Sequence, residues 1–556
     1  MPNVLRNPNP TKSSTILEPE PGVMDCYIAV TFAPVQGFIE KSRKLRDLYG
    51  ASLILSYLTY RLVKEAEKSC QVLSPGLINI PKGMPNRILL RGEFSEQQAR
   101  DALLTAWKQI LKQCRSWVEN HLPQYTYDWE EQWQHWGNYS WEIFRGEGKR
   151  PKTAMEDLEE QKLSRNWIAL NWVGESSSLT GTDAIAHPGL GCKILDPRKA
   201  LSAPERQAIK QFYTDLSLAL ETHPETQEEE DLEEEISLTA EVSDPEVQPE
   251  GKFLSDSERL SIPELVKRLV TRSDISQSLE MPFLGRSFKD IVRRPEDSNP
   301  NSDGQWTGWF MGDGDKVGDR LKEIAEEEGD QGLQEFSKAM RKWGKNFTRE
   351  FAKKKLGRIV YAGGDDFLGV IYSRNPKQPI PRQTVLDWLM ELPQEWAKHE
   401  QAITLSLGFV WAASGVPQRD ILQHCREAQE RSKNLGRDRV TIRIVFNSGQ
   451  YVQWTCPWHY LRILQQYQDR EKGQNWSHVY QDFAYLRSRH VIDLSLTEEQ
   501  EDLIDERIAL ALVKIYFQSE DEYLSLEREK IVGKDSSLEL IFWINNLIEV
   551  GWQLCS

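Results

Sequence analysis

Two aspartates follow two glycines in Tyr361-Ala362-Gly363-Gly364-Asp365-Asp366-Phe367, between two short apolar runs. Adjacent carboxylates at a turn repel each other and gain nothing from a core. They suit Mg²⁺, which takes hard oxygen ligands and keeps several waters. The glycines suit a tight hairpin, since glycine reaches positive φ without steric cost. Taken alone, the segment is explained equally well as an ordinary acidic turn. A second cluster, Met311-Gly312-Asp313-Gly314-Asp315-Lys316, shifts the balance. If the strand that ends there lies beside the hairpin, Asp313 faces Asp365 and Asp366 across strand ends. That is a carboxylate site for two divalent ions, which lower the pKa of an attacking hydroxyl and neutralise a triphosphate leaving group, the logic of phosphoryl and nucleotidyl transfer. A third segment, Lys433-Asn434-Leu435-Gly436-Arg437-Asp438-Arg439, joins a helix to a strand. Gly436 fits a helix C-cap and the basic residues suit the helix dipole, which is an adequate account of them. Beside two acidic clusters, Lys433 and Arg437 are also placed to meet triphosphate oxygens.

These segments need a scaffold, and the pattern around them supplies one. Trp306 to Gly312 reads as a strand, Val317 to Phe351 as mostly helix, and Arg358 to Ala362 and Phe367 to Tyr372 as strands. Then come a helix from Gln383 to Lys398, a strand from Ile403 to Ala412, a helix from Gln418 to Lys433 and a strand from Arg439 to Phe446. The alternation predicts a βαββαβ unit, a ferredoxin-like palm. Upstream, Tyr27 to Phe32 reads as a strand, Val35 to Leu62 and Ser95 to His121 as helical, and Trp167 to Val173 as strand-like. Downstream, Val452 to Ser556 reads as several amphipathic helices, with Leu461, Leu464 and Tyr467 at helical spacing.

Size and composition bound the rest. At 556 residues the chain exceeds a single core, so three or four domains are expected, and 19 Trp, 17 Tyr and 18 Phe exclude a wholly disordered chain. The net charge of −16 is mostly local: residues 225–250 hold twelve acidic residues and no Lys or Arg, and without them −4 remains. That run reads as a solvated linker, with nucleic-acid mimicry as the alternative. Ile508 to Phe517 and Leu538 to Val550 are too short and too interrupted to span a bilayer. The N-terminal residues lack the apolar stretch of a secretory signal, so a cytoplasmic location is expected. Seven cysteines stand singly with no C-x-x-C pair, so neither a disulfide framework nor a zinc ribbon is legible. Between Lys338 and Arg358, nine Lys or Arg face one acid, Glu350. That reads as a solvated helix face, with contact to RNA or a neighbouring subunit, helped by Trp343 and Phe347, as the alternative.

The Gly-Gly-Asp-Asp hairpin, the Asp-Gly-Asp strand end, Thr404-Leu405-Ser406-Leu407-Gly408 and the Lys-x-x-x-Arg segment resemble the palm of GGDEF-type nucleotide cyclases. The Asp-Asp variant is similar to the large palm-domain subunit of type III CRISPR effector complexes, RNA-targeting machines of antiviral defence. Phe32-Ala33-Pro34-Val35-Gln36-Gly37-Phe38-Ile39, Arg43, Arg46-Asp47-Leu48, Ser52-Leu53-Ile54-Leu55-Ser56 and Pro85-Asn86-Arg87 resemble the opening of that subunit in the Cmr (III-B) branch. The resemblance implies an α+β protein with two ferredoxin-like palms, only the second catalytic, a zinc-bearing domain between them and a helical domain after them. Laid on this chain, the layout is a flexible tail 1–24, a first palm 25–173, a linking domain 174–300, a catalytic palm 301–450 and a helical C-terminal domain 451–556. It implies that target RNA paired to a guide RNA switches on conversion of ATP to cyclic oligoadenylate second messengers, with Mg²⁺ or Mn²⁺. By position, Asp313, Asp365 and Asp366 are the catalytic metal ligands, assisted by Asp315. Gly363, Gly364, Ser406, Lys433 and Arg437 contact the nucleotide, and the other subunits, guide RNA and target RNA are the partners.

Two departures from the family qualify this. Many members carry an HD nuclease domain ahead of the first palm, but none of the nine histidines here is followed by aspartate, so no HD nuclease activity is expected. The family's zinc site uses two C-x-x-C pairs, whereas the matching stretches here are Ser177 to Thr180 and Ser261 to Glu264. A structural zinc normally needs four ligands and Cys192 alone cannot hold one, so zinc is expected to be absent. A catalytically silent scaffold and a GGDEF-type cyclic-dinucleotide cyclase are the competing readings.

Overall fold

The computed structural model describes residues 26–76, 83–164, 175–191, 201–222, 253–255, 257–281, 291, 293, 304–495, 505–518 and 520–556. The expected tail 1–24, the strand at 167–173, Cys192, the acidic run 225–250 and residues 294–303 of the polar break lie outside the described residues. The protein is a mixed α+β structure built on two sheets. The first holds β1 (Tyr27–Ala33), β2 (Cys70–Ser74), β3 (Arg87–Gly92) and β4 (Glu142–Gly148) in the antiparallel order β2-β3-β1-β4. The second holds β5 (Thr307–Gly314), β6 (Gly357–Ala362), β7 (Asp366–Ile371), β8 (Leu405–Ala412), β9 (Arg439–Val445) and β10 (Tyr451–Pro457), in the order β10-β9-β8-β5-β7-β6. Its β6-β7-β5-β8 portion repeats the strand order of the first sheet. The helix Gln418–Asn434 then crosses over to lay β9 parallel to β8.

Alternation along the strands decides what each face meets. In β1, Ile28, Val30 and Phe32 join the core beneath the helices Leu45–Ala66 and Glu96–His121, while Ala29 points to the other face. In the second sheet, Phe310, Phe367 and Phe409 pack under Gly329–Lys353 and Arg382–Ala397, and Trp309, Leu368 and Val410 face the opposite way. That second face is covered by Gln418–Asn434 and by Leu45–Ala66 of the first sheet's own layer, whose Leu45 and Leu48 enter the same core. Tyr49 ties the contact by donating to the carbonyl of Ile359 at 2.7 Å. The helix Gly329–Lys353 likewise reaches back to the first sheet. Asp330 pairs with Arg91 at 2.8 Å, and the Ser337 hydroxyl accepts from the amide of Gly76 at 2.6 Å. The two sheets are thus packed through shared helices.

Several expectations need correction. The helical stretch from Val35 breaks into Val35–Glu40 and Leu45–Ala66, because Asp47 turns back to accept from the amides of Arg43 and Lys44 and caps the second helix. The stretch from Val317 breaks at Gly329, whose φ of +64° ends Val317–Glu327. The basic stretch is not one solvated face. Trp343 and Phe347 stack 5.0 Å apart inside the core, and Arg341 is only 4% exposed. Helix does not begin at Val452: β10 pairs antiparallel with β9 through a turn in which Gly449 has φ +81°. Val452, Trp454 and Cys456 supply the strand period there, before the helical spacing at Leu461. The remainder is helical among the described residues, ending in Ser537–Cys555. No described helix is long and apolar enough to cross a membrane.

Residues 177–180 and 261–264, where the sequence reading looks for the zinc pairs, do meet. Glu264, at 2% exposure, accepts from Ser177 Oγ at 2.6 Å, Thr180 Oγ1 at 2.9 Å and the amide of Ser261 at 2.7 Å. A carboxylate with three donors joins the two segments. Alanine at Glu264 orphans these buried groups and is expected to lower stability by about 1–3 kcal/mol. Treating the wild type with EDTA is expected to leave its thermal unfolding unchanged in calorimetry, and a large loss on chelation would show that a metal is held there.

Candidate active site

The register of the second sheet brings the acidic clusters together. Asp313 of β5 sits directly opposite Asp366 of β7 and, on its other side, opposite Ser406 of β8. Directly opposed residues share a face with Cβ atoms about 5 Å apart. The β6–β7 turn is tied in place from three sides. The amide of Gly363 donates to the carbonyl of Asp366 at 3.1 Å, that of Gly314 to the carbonyl of Asp365 at 2.8 Å, and Arg341 Nη1 donates to the carbonyl of Gly363 at 2.8 Å. Neither Gly363 nor Gly364 adopts a positive φ, so backbone freedom is not what the turn takes from them. Their contribution is room: a side chain at Gly364 would meet nothing within 4 Å, and at Gly363 it would meet Asp366 Oδ1 at 3.4 Å.

Helix Gln418–Asn434 delivers Lys433. It lies so close on β8 that a Cβ at Gly408 would fall 2.2 Å from the carbonyl of Cys425, a contact only glycine allows. At its end Gly436 takes φ +118° and the amide of Arg437 donates to the carbonyl of Ser432 at 3.1 Å, a Schellman closure that turns the chain into β9. Lys433 Nζ pairs with Asp313 Oδ2. Arg437 is exposed in the left-handed turn that follows.

Asp315 and Ser406 bond to each other. Asp315, 5% exposed, accepts from Ser406 Oγ at 2.7 Å, Thr404 Oγ1 at 2.8 Å and the amide of Asp438 at 3.0 Å. Ser406 is fully buried. The pair braces β5 against β8 and against the turn that carries Arg437.

The electrostatics are those of crowded carboxylates. Burial, then repulsion from Asp313, pushes Asp365 up to about 6. Burial, then Asp365 and Asp313, pushes Asp366 up to about 7. Asp313 is raised by burial although Lys433 pulls the other way. The cluster is short of positive charge, and all its donors are hard oxygens, the set that Mg²⁺ or Mn²⁺ takes. The residues fit such an ion in chemistry. Among the described residues, however, no three carboxylate, imidazole or thiolate side chains already converge on one point, and the ammonium of Lys433 pairs with Asp313.

Two cations near the acids escaped the motif reading. Arg341 reaches the turn from the basic helix, where it also binds the carbonyl of Gly83, and its charge acts on Asp366. Arg87 of β3 acts on Asp365 from the first sheet. Arg341 had one legible signal. It lies three residues before Gly344, on the face that meets β6 so closely that a Cβ at Gly344 would stand 2.7 Å from the carbonyl of Ala362.

Comparison with known proteins accords with this geometry. Residues 307–441 match the family model described as Cas10/Cmr2, second palm domain, and residues 27–112 match that of CRISPR-associated protein Cmr2, N-terminal. No curated protein matches the chain. Among solved structures, a chain of the type III-B Cmr-beta complex in its apo state aligns at 11% identity over 95% of this chain and 82% of that chain, with a TM-score of 0.50. One in a Csm1–Csm4 cassette in complex with cA4 aligns at 12% identity over 96% of this chain and 70% of that chain, with a TM-score of 0.45. The Cmr2 N-terminal match and the Cas10/Cmr2 second-palm match thus stand in that order along one polypeptide, and these two regions are similar to the corresponding domains of Cas10/Cmr2 proteins.

Proposed function

We propose that this subunit, within a type III effector complex carrying guide RNA, joins ATP molecules into cyclic oligoadenylates when target RNA pairs with the guide. The observation that carries the reading is the meeting of Asp313, Asp365 and Asp366 at adjoining strand ends, with Asp365 and Asp366 held near neutrality in their titration. The reaction is attack of a ribose 3′-hydroxyl of one ATP on the α-phosphorus of another. The new O–P bond forms as the bond to pyrophosphate breaks, and the hydroxyl proton leaves to solvent. Asp313, Asp365 and Asp366 would hold Mg²⁺ or Mn²⁺, which when bound supplies acidity to a hydroxyl and neutralises triphosphate charge.

The chain's own groups do the positioning. Lys433 and Arg437 meet phosphate oxygens, and the open space at Gly364 admits the nucleotide to the turn. Asp315 and Ser406 act from behind, keeping β5, β8 and the 436–438 turn in register, so we place them in support rather than on the ligand. The acidic residues stand intact, which favours this reading over a silent scaffold.

The test incubates the assembled complex with ATP, Mg²⁺ or Mn²⁺ and matching or non-matching target RNA, with GTP in a parallel arm, followed by mass spectrometry of small products. Cyclic oligoadenylates formed only with ATP and matching RNA are expected. A cyclic dinucleotide from GTP would favour the GGDEF-type reading, and no product under any condition would leave the scaffold.

A further inference from the structure

A cavity of about 540 Å³ lies away from the carboxylates. It opens where the loop before Leu45–Ala66, the loop before Gln418–Asn434, residues 178–180 and Arg293 meet. Gln418 and Lys433 stand at opposite ends of one helix, about 22 Å apart at 1.5 Å per residue.

Its lining is one-sided in charge. Arg43, Lys44, Arg293 and Arg419 contribute to it, and the described residues that line it include no Asp or Glu. Lys44 is shared with Glu258 at 3.1 Å and Arg419 leans on Asp420 at 3.4 Å. Arg43 is exposed and has no carboxylate within ion-pair distance among the described residues. Arg293 is more telling. Its guanidinium donates to the carbonyl of Val416 and lies 5.8 Å from the centre of the Trp309 ring, with no acid beside it among the described residues. Burial alone acts on it and pulls it down to about 10. A buried cation without a counter-charge is costly to keep.

Two helices begin at the wall, one already capped by the Asp47 carboxylate and the other carrying Asp420 in its first turn. A helix start alone marks nothing, but here a polar group stands waiting. Gln418 is 8% exposed, lines the cavity, and its side-chain amide Nε2 is buried with no hydrogen-bond partner. A buried donor left unmade costs about 1–3 kcal/mol. A guanidinium with no acid beside it among the described residues and a buried amide donor without a hydrogen-bond partner line one cavity, and an oxyanion would meet both. The volume is in the range of small-ligand sites rather than that of a bare ion.

We infer that this cavity is a second ligand site, in which Gln418 Nε2 and the guanidinium of Arg293, with Arg43 and Arg419 at the mouth, bind the phosphate of a nucleotide-sized phosphate ester. The site is independent of the metal-ligand carboxylates and needs no divalent ion.

Isothermal titration of the full chain in EDTA tests it, using inorganic phosphate, adenosine 5′-monophosphate and the diester ApA as probes. Binding of AMP above that of inorganic phosphate is expected, and comparison with ApA tells a monoester site from one for a nucleic-acid backbone. Gln418→Leu is expected to weaken AMP binding at least about tenfold, as loss of a charge-assisted hydrogen bond requires. Lys514→Ala, on the exposed face of the helix Glu506–Tyr516 and outside both sites, is expected to leave it unchanged. Gln418→Glu keeps the shape and supplies the missing negative charge. It is expected to abolish AMP binding while raising the melting temperature in phosphate-free buffer, a pairing that a packing role for Gln418 would not produce. Failure of every probe to bind the wild type, or equal binding by wild type and Gln418→Glu, would overturn the assignment, as would loss of binding in Lys514→Ala.

Discussion

Alanine at both Asp365 and Asp366 is expected to suppress adenylate formation by the assembled complex by about 10³-fold or more, since the charge stabilisation a held metal provides is worth several kcal/mol. The same change is expected to make the metal-free protein more stable at pH 8, not less. An unfolded aspartate titrates near 3.9, whereas in the folded chain the two are raised to about 6 and about 7. A carboxyl with a raised folded pKa imposes no cost while both states are protonated. The cost grows as pH rises from about 4 and is complete above the folded value. Removing the two carboxyls therefore stabilises at pH 8 by about 1–3 kcal/mol, discounted for partial exposure, and does nothing near pH 4. Thermal unfolding at the two pH values, with mass spectrometry of products, reads both halves. Loss of activity together with loss of stability at pH 8 would mean that the pair serves the fold.

The largest stability effect is expected far from the turn. Arg268 is fully buried and grips Asp47 at 2.9 Å and Glu258 at 2.8 Å, both acids themselves within 2% of full burial. Arg268→Ala takes the bridging cation from two buried carboxylates, leaving Glu258 only Lys44, a loss of about 3–5 kcal/mol. In the wild type, Arg268 offsets the burial of both acids and holds them below their ordinary range. Their contribution is present above pH 4 to 4.5 and fades as pH falls through the folded values. In the variant the sign reverses, because protonation now relieves the buried charges. The gap between the two proteins is therefore expected to close as pH falls from 7 toward 4 in denaturant unfolding. Adding Asp47→Asn and Glu258→Gln to Arg268→Met is expected to recover part of the loss. A gap that stays constant with pH would show that Arg268 acts by packing.

How far the sequence foretold this molecule depended on the range over which each feature is encoded. Asp365, Asp366 and Asp313 sit in short, unusual strings, and because β5 and β7 are sequence-local the register that brings them together was readable. Lys433 was placed by the helix that precedes β9. Arg341 was hidden by its neighbours. Among nine cations in a row, only tertiary contact says which one turns inward, and that contact includes the carbonyl of Gly83, some 258 residues earlier. Asp315 and Ser406 carry the right chemistry for a ligand site, and only coordinates show their groups used on each other. The strand at Tyr451–Pro457 was lost to the stronger helical period just after it. The cavity at Gln418 has no motif, since its parts come from four distant segments.

The helix Gly329–Lys353 that closes the lower half of the first sheet sets a timetable for synthesis. Leu73 and Leu89, buried in the same core as Phe336 and Met340, belong to a layer completed early in translation. The helix that covers them is complete only about 190 residues after the end of Pro151–Leu163, a stretch that a ribosome adding about 5–20 residues per second needs roughly 10 to 40 s to make. During that interval the nascent sheet presents an apolar flank. Pausing, cold growth or a split gene lengthens the exposure, and in each case holdase chaperones or co-expression of the missing half should decide the yield of intact protein.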